Sequence, residues 1–306
     1  MRIVYLGTPD FAVLPLKTIF ESGKYDIVGV VSNKDKPVGR KKILTAPPVK
    51  QYAESVNLTV FQYDKIKDEG VQDLMALKPD LMITCAFGQI LSQEILDIPR
   101  LGVINIHASL LPKYRGASPI HYAILNGEKE TGITIMKTDI GIDTGDILLK
   151  NSLDILPNET CGELFDRLSV LGAKSIMQAL TEIENGTATF TKQQEDLATL
   201  TKMVKKEHAK IDWTKTNIEV FNQIRAFNPA PIAFTVLKGE MFKIYSATLS
   251  DLSGECGEVI NNDNKLVVAC GKGAVSLEKV QKAGGNAMSI TDFLRGNKIE
   301  IGEILG

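Results

Sequence analysis

The sequence predicts an α/β protein: a doubly wound, mainly parallel sheet followed by a small antiparallel β-barrel of OB type. Three observations predict it. Short β-rich runs alternate with longer helical patterns through the first half. Those runs are almost continuously apolar, as strands covered on both faces are. The last hundred residues then hold five short strand-like runs separated by Gly and Asn turns.

Taken in order, residues 2–6 (RIVYL), 26–31 (DIVGVV), 58–61 (LTVF), 80–85 (DLMITC) and 103–106 (VINI) read as strands. Helical patterns occupy 11–22, 49–56, 69–77 and 92–96. Strand and helix in alternation imply right-handed crossovers and parallel pairing. Runs 131–138 and 146–153 extend the sheet as a hairpin-like pair, and 161–185 is one long helix. Residues 187–215 are polar and Lys-bearing with few apolar anchors, which reads as a connection. A short helix from Ile218 precedes the barrel runs 233–237, 241–248, 258–260, 266–269 and 275–280. The expected domains are 1–189, a linker at 190–207, and 208–306.

The 306 residues carry 35 Lys plus Arg and 37 Asp plus Glu, for a net charge of −2, so a bulk basic grip on nucleic acid is excluded. No apolar run approaches the roughly 20 residues of a membrane span. The start, MRIVYLGTPD, lacks the basic region and cleavage site of a secretory signal, so a cytoplasmic protein is expected. Cys85, Cys161, Cys256 and Cys270 are scattered without a C-x-x-C pair, which indicates neither a disulfide framework nor a cysteine zinc site.

The turn Gly7-Thr8-Pro9-Asp10 sits where a dinucleotide fingerprint would. Only one of its glycines is present, and Pro9 removes an N–H donor, so nicotinamide binding is disfavoured. A plain strand-to-helix turn, with Asp10 as a cap, is the expectation.

The richest stretch is GVINIHASLLPKYRG, residues 102–116. Asn105 and His107 lie two apart in an otherwise apolar strand, so both side chains project from one face near its C-terminal end. In open parallel sheets that end is where ligands bind. Two donors aimed at one point could form an oxyanion hole. A second constellation, TDIGIDTGD at 138–146, is acid-rich, but its spacing does not fit a calcium-binding EF-hand loop. A tight turn explains it equally well. Spacing alone cannot set Asp143 beside His107.

Basic residues cluster twice: Lys34, Lys36, Arg40, Lys41 and Lys42 after the second strand, and Lys202, Lys205, Lys206, Lys210 and Lys215 in the connection. Each alone reads as solvated surface; together they suit a polyanionic ligand.

The run INIHASLLPKYRGASPI, with IGIDTGDIL downstream, resembles the signature of the formyltransferases that use 10-formyltetrahydrofolate. Supporting stretches are YLGTPDFAV, PVGRKK, PPVK, KPDLMITCAFGQIL, AKIDW and IRAFNP, so the resemblance runs essentially from Met1 to the C-terminus. It implies a Rossmann-like catalytic domain in which Asn105, His107 and Asp143 form the catalytic trio. It further implies that Ser109, Leu110, Leu111 and Pro112 contact the folate, and that Phe87, Gly88, Gln89, Ile90 and Leu91 form the pterin-side loop. Arg40, Lys41, Lys42, Lys202, Lys205 and Lys206 would meet a tRNA. The implied donor is 10-formyltetrahydrofolate, the acceptor initiator methionyl-tRNA, and no metal is needed; a monomer is expected. The family's basic loop often has a second Gly after the Arg, where this chain has Lys41. Two other readings stand beside this one: a formyltransferase acting on a small amine such as phosphoribosylglycinamide or an amino sugar, and a non-catalytic RNA-binding protein.

Overall fold

The computed structural model describes residues 1–39 and 41–306; the expectation for Arg40 lies outside the described residues. The chain divides into two compact units. One comprises Met1–Gly116, Glu130–Leu153 and Phe165–Thr201; the other comprises Ala117–Lys129, Asp154–Leu164 and Lys202–Gly306.

In the first unit, β1 (Arg2–Gly7) leads through a 3₁₀ turn at Asp10–Ala12 into α1 (Val13–Glu21). No side-chain bond caps this turn, so Asp10 is not the cap its position suggested. The chain continues through β2 (Asp26–Asn33), a small exposed hairpin of β3 (Lys36–Val38) and β4 (Ile43–Thr45), α2 (Pro48–Ser55) and β5 (Val60–Tyr63). β5 begins two residues later than its apolar run suggested. The helix expected over 69–77 divides at Gly70 into α3 (Ile66–Glu69) and α4 (Val71–Leu77). The glycine fits where a Cβ would press on Ile66 at 2.8 Å.

β6 (Leu81–Cys85), α5 (Gln93–Leu96), β7 (Val103–His107) and β8 (Arg115–Gly116) follow; after α6 (Pro119–Leu125), which belongs to the second unit, come β9 (Glu130–Lys137), β10 (Ile147–Asp154), α7 (Cys161–Glu184), whose residues from Phe165 onward belong to the first unit, and β11 (Leu200–Thr201). The main sheet has the order β10-β9-β7-β6-β1-β2-β5. Its pairs β1/β2, β1/β6, β2/β5 and β6/β7 are parallel, whereas β7/β9 is antiparallel. The hairpin-like extension expected at 131–153 is therefore present at the sheet edge. From β1 the chain winds outward through β2 and β5, then returns to the other side of β1 with β6. The reversal between β1 and β6 opens a crevice at the strand ends, where open α/β sheets bind ligands. β1, β6 and β7 are almost wholly buried, which is why their sequences lack alternation. α7 packs on this sheet: Phe165 meets Phe11 edge-on at 5.2 Å, and a Cβ on Gly172 would touch Ile106 at 3.3 Å.

The second unit carries α8 (Asn217–Ala226), begun by a capping box in which Thr216 and Glu219 bond reciprocally. Its antiparallel sheet runs β12 (Ala233–Leu237), β13 (Glu240–Ser250), β16 (Ala274–Lys282), β15 (Leu266–Ala269) and β14 (Val259–Asn261), with β17 (Met288–Ser289) on β16. Register shifts near Ser246 bend β13, so that one long strand curls between two neighbours. A helix absent from the expectation, α9 (Ile290–Gly296), is capped by Ser289 and sets Phe293 against Phe242 at 5.1 Å. All five expected barrel strands are present.

All four cysteines are free thiols. Cys85, Cys161 and Cys270 are buried, and burial pushes each of their pKa values up to about 12. Among the described residues, no helix is long and apolar enough to cross a membrane.

Candidate active site

β7 carries the first two residues of the trio. Asn105 pairs in register with Thr84 on β6, and His107 with Thr134 on β9. The Thr84 hydroxyl donates to Asn105 Oδ1 at 2.9 Å, which turns the amide nitrogen toward Asp143; that nitrogen donates to Asp143 Oδ1 at 3.3 Å. Thr84 is thus a site residue that the sequence did not announce.

His107 is 6% exposed. Its Nε2 lies 2.9 Å from the Tyr114 carbonyl, which can only accept, so Nε2 carries the proton. Nδ1 faces Asp143 Oδ2 at 3.5 Å, an ion-pair distance longer than a well-formed hydrogen bond. Asp143 Oδ2 also accepts the Gly116 N–H at 2.7 Å. The structure therefore brings Asn105, His107 and Asp143 together, which sequence spacing could not do. It also changes their relation, because both donor side chains converge on the carboxylate.

Asp143 sits in the loop between β9 and β10 at a φ of +52°, a conformation uncommon for a residue with a side chain. Asp139 Oδ1 accepts from Gly141 N at 3.0 Å and from the Thr144 hydroxyl at 2.7 Å, which tightens the first half of this loop. Gly145 leaves no room for a side chain, since its Cβ would fall on the Lys137 carbonyl.

The segment 109–112 is pinned by Thr134, whose hydroxyl donates to the Ser109 carbonyl at 2.6 Å and accepts from Leu111 N at 3.1 Å. Ser109 and Leu111 are fully buried, with the Ser109 hydroxyl donating to Lys113 O at 2.7 Å. Leu110 and Pro112 remain partly accessible. The loop 87–91 lies at the switch point. Phe87 and Leu91 are anchored in the core, Gly88 and Ile90 are exposed, and Ile90 retains 79% of its surface. Gln89 binds Asn33 Oδ1 at 2.7 Å and Ile66 N at 2.8 Å, while the Phe87 carbonyl accepts from Thr8 and from Asn33, each at 3.0 Å. The loop is therefore tied to its neighbours by these bonds, while the Ile90 side chain remains exposed.

Three further residues escaped the sequence reading. Arg115, 4% exposed, is held bidentately by Glu195 at 2.7 and 2.8 Å and donates from Nε to Gln193 at 3.0 Å. The guanidinium holds the Glu195 carboxyl below the usual range through that hydrogen bond. These partners lie 78 and 80 residues along the chain from Arg115, inside the stretch that the sequence suggests is a linker. That stretch is tied to the first unit as far as Thr201, where β11 pairs with β8.

The basic residues fall into different units. Lys41 and Lys42 are exposed beside the β3/β4 hairpin; Lys202, Lys205 and Lys206 are exposed in the second unit, where Lys205 lies 3.7 Å from Glu207. Among the described residues, no group of three or more His, Cys, Asp or Glu side chains is placed to hold a metal ion.

Residues 1–180 match the family model described as formyl transferase, and residues 203–298 match that of the formyl transferase C-terminal domain. The chain is therefore an enzyme of the formyl transferase class. Methionyl-tRNA formyltransferase of Agathobacter rectalis is 46% identical over 99% of this chain and 98% of its own. That of Bacillus subtilis is 44% identical over 100% and 98%. The fold is also that of a solved N-formyltransferase from Helicobacter canadensis in complex with folinic acid and dTDP-3-aminofucose, with a TM-score of 0.70 and 23% identity over 92% of this chain and 98% of that one. The chain belongs to the methionyl-tRNA formyltransferase family.

Proposed function

We propose that the chain transfers the formyl group of 10-formyltetrahydrofolate to the free amino group of initiator methionyl-tRNA, using Asn105, His107 and Asp143. The observation that carries the residue assignment is the meeting of these three side chains around one carboxylate at the C-terminal end of β7. Full-length relatives at 43–46% identity support the acceptor over a small amine, and a trio embedded in a rigid hydrogen-bond frame disfavours a purely RNA-binding role.

The neutral amine attacks the formyl carbon, a carbon–nitrogen bond forms, and negative charge develops on the formyl oxygen. One Asn105 amide hydrogen points to Asp143; the other has no partner among the described residues and is available to that oxygen. With the imidazole protonated on both ring nitrogens, Nε2 stays on the Tyr114 carbonyl and Nδ1, 3.5 Å from Asp143, is the second donor. A single preorganised donor of this kind contributes about 3–4 kcal/mol to transition-state stabilisation. Asp143 takes the proton that the amine loses and returns it, directly or through water, to N10 of the folate as the bond to the formyl carbon breaks. The folate lies in the crevice at the switch point, against Ile90 and the accessible Leu110 and Pro112. Ser109 and the cysteines have no covalent role to play in such a direct transfer. We place the reaction in the cytoplasm.

Incubation with 10-formyltetrahydrofolate and charged initiator tRNA is expected to yield N-formylmethionyl-tRNA, with phosphoribosylglycinamide left unmodified in a parallel reaction. Formylation of the small amine alone would overturn the acceptor assignment. Reversing Lys202, Lys205 and Lys206 to Glu is expected to weaken tRNA binding and lower its salt slope by about 0.7–0.9 for each phosphate that is no longer neutralised. Folate affinity should stay as it was, and an unchanged salt slope would remove these lysines from the tRNA surface.

A further inference from the structure

Gln193 engages both polar atoms of its carboxamide. Nε2 donates to the backbone carbonyls of Asp143 and of Gly145, each at 2.8 Å, and Oε1 accepts from Arg115 Nε at 3.0 Å. Arg115 is in turn clamped by both carboxylate oxygens of Glu195, so the plane of the amide is fixed from behind. The same strand end closes the circuit, because the N–H of Gly116, the residue after Arg115, donates to the Asp143 carboxylate at 2.7 Å.

What this circuit grips is a segment without regular secondary structure, held in a costly conformation. Asp143 lies at a φ of +52°, and residues held in such regions persist only where their surroundings impose them. Gln193 bonds the backbone on both sides of Thr144, and the Gly116 amide bonds the side chain. The carboxylate position relative to His107 is thereby set by residues 50 positions away in sequence.

We propose that Gln193, oriented by the Arg115–Glu195 pair, is a positioning residue for the reaction: it holds the Asp143 backbone so that the carboxylate faces His107 and Asn105. The inference rests on the assignment of Asp143 to the reaction. It makes 193–195, outwardly a polar connection, part of the catalytic apparatus. Gln193 need not touch either substrate.

Gln193→Glu is the discriminating substitution. It preserves size and the contact with Arg115, but sets an oxygen against two carbonyls. Displacements of about 1 Å can reduce turnover roughly 100-fold. Turnover in Gln193→Glu and Gln193→Ala should therefore fall about 10- to 100-fold, with the KM for both substrates within about threefold of the parent. In an Asp143→Asn background, Gln193→Ala should change turnover less than about twofold, because there is no longer a carboxylate to place. Two results would overturn the proposal: parental turnover in Gln193→Glu, or a Gln193→Ala loss that is equally large in the Asp143→Asn background. The second would mark a general structural role. Parental turnover in Asp143→Asn alone would instead remove the catalytic reading of Asp143 and this inference with it, so the two failures are told apart. A folded Gln193→Glu protein, confirmed by its melting transition, secures the comparison should Gln193→Ala unfold.

Discussion

His107→Ala is expected to lower the turnover number by about 10²–10⁴-fold, the range associated with a positioned group that handles protons or stabilises charge in the transition state. The loss should fall on turnover and leave tRNA affinity close to that of the parent, because His107 is buried, bonded to the Tyr114 carbonyl and facing Asp143, all within the first unit. Stability will also drop somewhat, since a buried imidazole and its partner bond are removed. His107→Gln fills more of the volume and can still donate to the Tyr114 carbonyl. If His107→Gln melts like the parent but remains inactive, the loss is chemical. Turnover within about threefold of the parent in His107→Gln would exclude the ring from the reaction.

Asn105→Ala is expected to cost about 10²–10³-fold in turnover, the measured scale for removing one oxyanion donor. Asn105→Asp is the sharper variant. It retains the shape and the bond from Thr84, but places a carboxylate against Asp143 and offers no hydrogen to the formyl oxygen. Its turnover should be no better than that of the alanine variant, with the two KM values little changed. If Asn105→Asp kept more than about a tenth of parental turnover, the amide would not be the donor assigned here.

The parts of this enzyme that were legible in the sequence share a cause. β1, β6 and β7 are buried on both faces and so read as unbroken apolar runs, against which Asn105 and His107 stand out as two polar residues on one face. Asp143 could be suspected from its turn-rich loop, but its meeting with His107 depends on β9 lying antiparallel to β7, a tertiary fact. The resemblance supplied that link before the geometry did.

Other features left no local trace. Gln193 and Glu195 lie in a polar stretch with neither periodicity nor apolar anchors, and the bonds that define them reach back to Arg115 and Asp143. Thr84 looks like any β-branched strand residue until its hydroxyl is seen on Asn105. The helices α6 and α9 and the β3/β4 hairpin were not among the elements expected from the sequence. Gly70 broke a helix that its neighbours favoured.

The central claim is that one imidazole and one carboxylate act as a unit on the transferring formyl group. Single-turnover formylation of initiator methionyl-tRNA by His107→Gln, Asp143→Asn and the double variant tests it directly. Groups that work together are strongly non-additive, so the double variant should be about as slow as the slower single one. A double variant slowed by the full product of the two individual losses would show that the residues act independently, and would contradict the account.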